Sequence, residues 1–369
     1  MDHCKRCQSG PSRIPQSGIL CLSPPLAHTL GTVRQLLDRE GIAHTSQSPA
    51  LLSIPIEPGL LARLVDQLDR VLSRSEAQDT RSLIHAGEET LTLAHLMRMQ
   101  PLATLIAQVQ GEWFSEMLHG QRFTTFFQPI VHADEPWVIH GYECLLRGQG
   151  ADGQLVPPTR LYNAARDGDM MFQLDRSARL SAIRSAVDCN LDQTNLALFI
   201  NFNPTSVYDP TYCLRSTVAA IRDTGFRPES IVFEIVESDH IADIPHLVRI
   251  VDYYRESGFR IALDDLGAGY ASLNLLGLLK PDLVKLDMEL IRGVDQDPFK
   301  GGIVRKVLEM SRDLEIKTVA EGIETRGEFE WVRENGADFA QGYYIARPAG
   351  VPPTVLDTAT VIEGFQARA

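Results

Sequence analysis

From about residue 122 onward, short apolar runs rich in β-branched and aromatic residues alternate with longer amphipathic stretches. Eight runs predict strands, at 123–131, 138–146, 196–202, 231–236, 259–263, 283–286, 316–320 and 338–345. Helical spacing predicts helices between most of them, at 159–187, 211–224, 241–257, 298–313 and 325–335. Strands that alternate with helices form a mainly parallel sheet. Eight strands in about 250 residues favour an α/β fold of the (β/α)8 barrel type over an open doubly wound sheet.

The first two of these runs depart from the alternation. Only residues 132–137 separate them, whereas the crossover between two parallel strands takes about a dozen residues or more. We therefore expect the first two strands to pair antiparallel, within a barrel that is otherwise parallel.

The first hundred residues predict a small α/β domain. Its expected elements are strands at 18–23 and 49–56, helices at 26–39 and 57–72, a polar loop at 73–80 and renewed helical spacing at 90–118. Pro58 suits the first turn of the second helix. We place the domain boundary near residue 105, which gives a small α/β domain with a regulatory or dimer-supporting role at 1–104 and the barrel at 105–369.

Composition is that of a soluble globular protein rather than a disordered or collagen-like chain. Of the 369 residues, 44% are hydrophobic and 22% are charged. No stretch approaches the roughly 18 uninterrupted apolar residues of a membrane span, and the N-terminus lacks the apolar core of a secretory signal. Six cysteines without paired spacing throughout are typical of reduced thiols. We therefore expect a cytoplasmic protein with no membrane span.

The N-terminal cysteines leave two interpretations open. Cys4 and Cys7 form a CxxC motif, with His3, Cys21 and His28 nearby in the sequence. A zinc or redox site is one interpretation. A tail with incidental cysteines is favoured, because no second CxxC completes a tetrahedral set.

Charge is distributed unevenly along the chain. The net charge is −13, yet residues 1–100 hold 10 basic and 10 acidic residues, so the remainder accounts for the whole excess. An acidic surface argues against binding duplex nucleic acid, which requires a basic footprint. A small phosphate ligand is compatible with this charge if metal ions offset the acidic groups.

Polar side chains recur within or directly after the predicted barrel strands. They are Glu143, Asn201, Glu234, Asp264, Asp265, Lys285, Glu321 and Gln341. Carboxylates inside buried strands are costly unless they are paired or bind metal, and strand ends build the active sites of such barrels. Hard oxygen ligands favour Mg²⁺ or Mn²⁺, and two adjacent aspartates suit a two-metal site for in-line displacement at phosphorus.

Each of these residues has a simpler explanation when it is considered alone. A strand glutamate such as Glu234 is often salt-bridged, and an Asp-Asp pair is usually a turn or a helix cap. Lys285 could extend to solvent along an apolar stem. A common site is favoured because the same class of residue recurs at the same place on successive strands.

The motifs resemble the EAL-domain family, the phosphodiesterases of cyclic di-GMP. The matching stretches, in family order, are FQPIV, GYECLLRG, FINFNP, FEIVES, ALDDLGAGYASL, VKLD, VAEGIET and AQGYYIARP, across about residues 105–360. The resemblance implies a TIM-like barrel whose first strand is antiparallel to the rest. It also implies a bacterial signalling enzyme that hydrolyses cyclic di-GMP to linear pGpG with two Mg²⁺ or Mn²⁺ ions per active site.

The resemblance further implies roles for individual residues. The implied metal ligands are Glu143, Asn201, Glu234, Asp264, Asp265 and Glu321, with Asp264 bridging two ions. The implied catalytic residues are Glu143, Lys285, Glu321 and Gln341. The implied substrate contacts are Gln128, Leu145, Arg147 and Asp265. Glu237 corresponds to the glutamate that stabilises the DDLGAGYASL loop.

Three functions from different classes follow from the resemblance: an active phosphodiesterase, a degenerate domain that only binds the nucleotide, and a protein-interaction module. Degenerate members typically lose the signature glutamate, the Asp pair or the lysine, and this chain retains all of them. Cys144, which stands where the family signature has alanine, removes no metal ligand. The sequence therefore favours the enzyme.

The segment after Asp265 predicts a partner surface. Its five leucines, at 273, 275, 276, 278 and 279, exceed what one face of a short helix buries, and an exposed remainder marks an interface. Together with the resemblance to dimeric family members, this predicts a homodimer through residues 264–279. The alternative is that all five leucines belong to the core.

Overall fold

The computed structural model describes residues 14–48, 50–86, 91–235, 243–267 and 273–353. Three features of the sequence lie outside the described residues: the Cys4–Cys7 motif, Glu237, and residues 268–272 of the loop after the Asp pair. The chain divides into two compact units, which are described separately below. None of the helices in the described part of the chain combines the length and the apolar character that crossing a bilayer requires.

The N-terminal unit, Ser9–Arg122 with Thr159–Leu174, contains an antiparallel five-stranded sheet of order β2-β3-β1-β4-β5. Its strands are β1 (Gly18–Ser23), β2 (Thr45–Ser48), β3 (Leu51–Ile56), β4 (Arg81–His85) and β5 (Gln100–Pro101). Its helices are α1 (Ala27–Arg39), α2 (Leu60–Val71), α3 (Arg74–Asp79), α4 (Leu93–Leu96), α5 (Leu102–Gln110), α6 (Glu112–His119) and most of α7 (Pro158–Asp167). The predicted α/β class is confirmed.

The apolar spacing of the sequence explains how this unit packs. The apolar face of α2 buries Leu61, Leu64, Val65 and Leu68 against a core that also includes Leu20 and Leu22 of β1. These positions are three and four residues apart on the helix and two apart on the strand, as one buried face of each element requires.

The prediction of a loop at 73–80 is wrong, because helix α3 occupies residues 74–79. Ser73 and Glu76 form a capping box: the Ser73 hydroxyl accepts from the Glu76 amide at 3.3 Å, and the Ser73 amide donates to the Glu76 carboxylate at 2.9 Å. These reciprocal bonds satisfy two amides that a helix start leaves open. A polar composition therefore did not prevent a short helix. The polar strand β2 and the short strand β4 were also not predicted.

The second unit is a closed eight-stranded barrel. Its strands are β6 (Phe123–His132), β7 (Ile139–Gln149), β9 (Ala197–Phe202), β10 (Ile231–Ile235), β11 (Arg260–Leu266), β12 (Leu283–Leu286), β13 (Lys317–Ala320) and β14 (Phe339–Ala340); β8 (Leu155–Val156) extends the sheet beside β7. Around the barrel the order is β6-β14-β13-β12-β11-β10-β9-β7, and β6 pairs with β7 to close it. All eight predicted strands are present.

The first barrel strand, β6, is antiparallel to both of its neighbours, β7 and β14, and the other barrel pairs are parallel. This confirms the expectation from the short β6–β7 connection. The helices of this part of the chain are α8 (Met171–Asp188), α9 (Pro210–Cys213), α10 (Arg215–Arg222), α11 (Ile244–Glu256), α12 (Leu273–Leu279), α13 (Met288–Ile291), α14 (Pro298–Asp313) and α15 (Arg326–Glu334).

Candidate active site

The predicted site residues lie on the barrel interior because of the two-residue period of the strands. One layer of the interior is apolar and consists of Ile130, Ala197, Phe199, Val232, Ala262, Leu283, Val319 and Phe339. Two residues further along, the parallel strands present a polar layer: Asn201, Glu234, Asp264, Lys285, Glu321 and Gln341. Residues two apart on a strand face the same side. The polar layer therefore lies at the carboxyl ends of the strands.

Glu143 joins this layer from β7, and the residue two positions before it is a glycine. A Cβ atom at Gly141 would lie 2.2 Å from the carbonyl oxygen of Ala197. The backbones of β7 and β9 thus approach closely at this point, and only glycine fits there. On β6, which runs in the opposite direction, Gln128 lies opposite Glu143.

Lys285 is at the centre of the polar layer. Its Nζ lies 2.9 Å from Glu234 Oε1 and 3.1 Å from Asp264 Oδ1. It also lies 2.5 Å from Glu321 Oε1 and 3.8 Å from Glu143 Oε1. The lysine side chain is only 1% exposed. The buried ammonium attracts all four carboxylates and so offsets the electrostatic repulsion between them.

Both carboxylate oxygens of Glu143 accept hydrogen bonds from side-chain amides. Asn201 Nδ2 donates to Oε1 at 3.1 Å, and Gln341 Nε2 donates to Oε2 at 2.7 Å. Three strands, β7, β9 and the end of β14, therefore fix the position of this one carboxylate.

The pKa values show how strongly the site concentrates negative charge. Burial raises the pKa of Glu234 and of Glu321 well above the ordinary value, despite the opposing effect of Lys285. Burial, and then the adjacent Asp264 carboxylate, raises the pKa of Asp265 to about 6. For Lys285, burial lowers the pKa but the surrounding carboxylates raise it more, so it lies well above its ordinary value. Additional positive charge would relieve this arrangement.

Two consecutive aspartates face the site because the strand is irregular there. Adjacent residues of a regular strand point to opposite faces. The register between β11 and β12 shifts between Leu263 and Leu266, and Asp265 has a φ of 53°, in the left-handed region. Such a bulge re-aims a side chain. It allows Asp265 to line the cavity beside the Asp264 carboxylate, which contacts Lys285.

The donor set fits divalent cations. One carboxylate oxygen from each of Asp264, Asp265 and Glu321 lies within 4.8 Å of the others. Glu234 Oε2 is buried and has no hydrogen-bond partner among the described residues. Five carboxylates and one ammonium leave four negative charges in the ionised cluster, which two divalent cations would balance. The oxygen ligands are those that Mg²⁺ and Mn²⁺ prefer.

A cavity of about 250 Å³ opens onto this cluster. Its lining includes the predicted Gln128, Glu143, Asp265, Glu321 and Gln341, and adds residues that the sequence analysis did not single out: Asp287, Met288, Arg292, Gly322, Glu324, Gly342 and Tyr343. Most of the added residues follow β12, β13 and β14 within a few positions. Their place directly after strand ends was the signal that could have identified them.

The rim of the cavity contains two charge-bearing pairs. Arg292 Nη2 lies 2.6 Å from Glu324 Oε1, and the guanidinium of Arg347 lies over the ring of Tyr343, 4.3 Å from its centroid. The half-exposed Tyr343 ring thus makes a cation–π contact with Arg347 at the edge of the cavity.

Two predicted substrate contacts lie elsewhere on β7. Leu145 and Arg147 are not among the described residues that line the cavity. The Arg147 guanidinium lies 5.0 Å from the ring centroid of Phe126, and its Nη1 donates to the Leu146 carbonyl at 2.8 Å.

Known proteins are similar to this chain over the barrel. Residues 112–348 match the family model described as the EAL domain. The chain is 30% identical over 251 residues to PdeG of Escherichia coli (strain K12), named a probable cyclic di-GMP phosphodiesterase, covering 66% of this chain and 47% of the relative. It is 25% identical over 233 residues to the cyclic di-GMP phosphodiesterase PdeR of the same organism, covering 63% and 34%. The chain thus spans less than half the length of these relatives.

Solved structures show the same likeness. A standalone versatile EAL protein from Vibrio cholerae O395, in a c-di-GMP bound form, is 36% identical with a TM-score of 0.57, covering 65% of this chain and 97% of that one. BlrP1 of Klebsiella pneumoniae, solved as a manganese/cy-diGMP complex, is 21% identical with a TM-score of 0.56, and covers 90% and 96%. The second likeness concerns the fold alone. The family model spans more than half of the chain, and the chain therefore belongs to the EAL domain family.

Proposed function

We propose that the chain is a cytoplasmic, metal-dependent phosphodiesterase that hydrolyses cyclic di-GMP to linear pGpG and so lowers the level of this second messenger. The observation that supports it most is the polar layer, whose residues line one cavity or contact Lys285, except for Asn201, which donates to the cavity-lining Glu143. The names of the relatives indicate the substrate.

The proposed ligands of the two Mg²⁺ or Mn²⁺ ions are Glu143, Asn201, Glu234, Asp264, Asp265 and Glu321. When bound, the ions supply positive charge that offsets the phosphodiester and makes water nucleophilic at neutral pH. Glu143 is held ready for this role by the amides of Asn201 and Gln341. Asp264 would be a ligand of both ions. This role is supported by its place within 4.8 Å of carboxylate oxygens of Asp265 and Glu321 and by the lysine contact that it shares with Glu234.

Hydrolysis adds one water molecule across one phosphodiester. The water oxygen forms a bond to phosphorus, the bond from phosphorus to the 3′-oxygen breaks, and the leaving oxygen takes up a proton. Lys285 presents a buried ammonium to the negative charge that develops on phosphorus, and such fixed charges stabilise this kind of transition state. Gln341 orients Glu143 and, through it, the attacking water.

Substrate contacts are proposed at two places. Gln128 lines the cavity from β6, opposite Glu143. Leu145 and Arg147 follow Glu143 on β7, and the planar guanidinium of Arg147 can bind a phosphate through two hydrogen bonds. The family motif supports the assignment of Arg147, and Glu237 is assigned on the same ground to the loop after Asp265.

We also propose a regulatory role for residues 1–104 and a homodimer through the segment after Asp265. On α12, Leu275, Leu276 and Leu279 are buried, whereas Leu273 and Leu278 are 60% and 50% exposed. Leu273 also lines an apolar groove with Phe299 of α14, which is 81% exposed. Light scattering on the full chain should give twice the monomer mass, and Phe299→Asp should give the monomer. A monomeric wild-type protein at high micromolar concentration would contradict the dimer.

Turnover tests the main proposal. The purified full chain is incubated with cyclic di-GMP and Mn²⁺ or Mg²⁺, and the nucleotides are separated by ion-pair chromatography. We expect pGpG, and none after addition of EDTA. Glu143→Gln should lower turnover by roughly 10²-fold or more, since it removes a charged ligand. Glu135→Gln, in the exposed β6–β7 turn, is the matched control and should leave turnover unchanged.

The outcomes separate the three functions. Binding of cyclic di-GMP without product, with both metals, would contradict the enzyme and support a receptor. Neither binding nor product would leave only an interaction module. Full activity of Glu143→Gln would refute the metal assignment.

A further inference from the structure

A buried ion pair lies outside the cavity, at the start of the helix that precedes β9. Asp175 and Arg179, one turn apart on α8, pair through Asp175 Oδ2 and Arg179 Nη1. Arg179 is fully buried and Asp175 is 4% exposed. Burying two charges is expensive, and a buried pair is weak evidence for stability by itself. The contacts of this pair therefore point to what it does.

The Asp175 carboxylate bonds to the turn that follows β9. Its Oδ1 accepts from the backbone amide of Asn203 at 2.8 Å, and its Oδ2 accepts from the Ser206 hydroxyl at 2.9 Å. Asn203 is the first residue after β9 and Ser206 ends the short 3₁₀ helix Pro204–Ser206. One carboxylate thus ties both ends of this turn to α8.

Arg179 in turn is held by a second helix. Its Nε donates to Thr217 Oγ1 at 3.1 Å, and Thr217 is a fully buried residue of α10. The arginine thus links the carboxylate of Asp175 to α10. The planar guanidinium suits this, because it donates in two fixed directions at once.

The tethered turn begins two residues after Asn201. The side chain of Asn201 donates to Glu143 in the cavity. Because only Phe202 separates Asn201 from the tethered amide of Asn203, a shift of the turn moves the end of β9 that carries Asn201. We propose that Asp175, with Arg179 as its counter-ion, is a positioning residue that sets the place of Asn201 as a metal ligand. The inference rests on the proposed metal-dependent function. Residues that orient metal ligands from outside typically change metal affinity about 10–100-fold when they are removed.

The test compares two double variants that both remove the buried charges. In D175N/R179M, asparagine keeps an oxygen that can accept from the Asn203 amide. In D175L/R179M, leucine has a similar volume but accepts nothing. Neither leaves an unpaired buried charge, which a single substitution would. If D175L/R179M does not fold, D175S/R179M replaces it, because the serine oxygen is one bond too short to reach the amide.

Two measurements do not depend on turnover. Titration calorimetry with Mn²⁺ alone should give D175N/R179M an affinity within about threefold of wild type and D175L/R179M an affinity at least about tenfold weaker. Hydrogen exchange of the peptide that spans residues 203–207 should be about tenfold faster in D175L/R179M only. Raising Mn²⁺ to saturation should restore most of the kcat of D175L/R179M. The KM of this variant for cyclic di-GMP should change less than its kcat.

The results that overturn the inference differ from those that overturn the proposed function. Equal Mn²⁺ affinities and equal exchange in the two double variants would show that the pair is merely structural, even if the wild-type protein is fully active. Mn²⁺ binding by the wild type without pGpG formation would refute the proposed function, while the affinity difference between the variants would still support the positioning role. A wild-type protein that binds no Mn²⁺ would refute both.

Discussion

Replacing Lys285 with methionine separates three effects of its charge: on folding stability, on metal binding and on turnover. Methionine has nearly the same length and volume but no charge, so the substitution leaves the buried carboxylates of Glu143, Glu234, Asp264 and Glu321 without the ammonium that now lies 2.5–3.8 Å from them. Removing one partner of a buried ion pair costs about 3–5 kcal/mol. For a unit of this size, that corresponds to a loss of roughly 6–20 °C in Tm.

The same substitution should have opposite effects on metal binding and on turnover. A buried positive charge repels incoming cations, and at about 5 Å and an effective dielectric constant near 20 this repulsion is worth a few kcal/mol. Mn²⁺ should therefore bind K285M at least about tenfold more tightly than wild type. Turnover should nevertheless fall by about 10²–10³, because the ammonium stabilises the developing charge on phosphorus.

Calorimetry in EDTA, Mn²⁺ titration and product analysis measure the three effects. Lys317→Met is the matched control: Lys317 lies on the neighbouring strand and pairs with Asp338 at 2.7 Å, but its side chain is 62% exposed. Exposed pairs contribute about 1 kcal/mol or less. Unchanged stability of metal-free K285M, or weaker Mn²⁺ binding, would refute the reasoning.

Three further predictions concern the scaffold. Gly141→Ala should destabilise the barrel by about 1–3 kcal/mol in thermal unfolding, since its Cβ would lie 2.2 Å from the Ala197 carbonyl oxygen. In the same measurement Gly302→Ala, in helix α14 and with open space around the Cβ, should stabilise the barrel by up to about 1 kcal/mol. Ser73→Ala removes a helix cap and should cost about 1 kcal/mol in denaturant unfolding of the N-terminal unit. Burial lowers the pKa of His140 from 6.5 to about 4, so the folded state favours the neutral ring. The contribution of the neutral ring to folding stability is complete above pH 6.5 and should be lost as the pH falls toward 4. The resulting decrease in Tm between pH 6.5 and pH 4 should be absent in His140→Phe.

Local patterns predicted most elements because each of them has one buried face. The helix predicted at 298–313 has those bounds in the structure, and the strand predicted at 18–23 likewise. The error at 73–80 has a local cause, since a polar segment can still form a short helix when its first turn is capped. The missed strands β2 and β4 are short, and pairing with their neighbours decides their conformation more than their composition does.

The amino-acid sequence by itself determined the order of the strands, the antiparallel start of the barrel and the polar layer. These follow from the spacing of apolar runs, from the length of one connection, and from polar residues placed two positions beyond an apolar one. Only the tertiary structure decided which polar groups meet. The burial of Lys285 among four carboxylates and the tie from Asp175 to the turn after β9 join residues distant in sequence. The bulge that aims Asp265 into the cavity depends on how β11 pairs with β12. These features result from the closure of the sheet and from the packing of α8 beside it. No local pattern of apolar and polar residues specifies the closure or the packing.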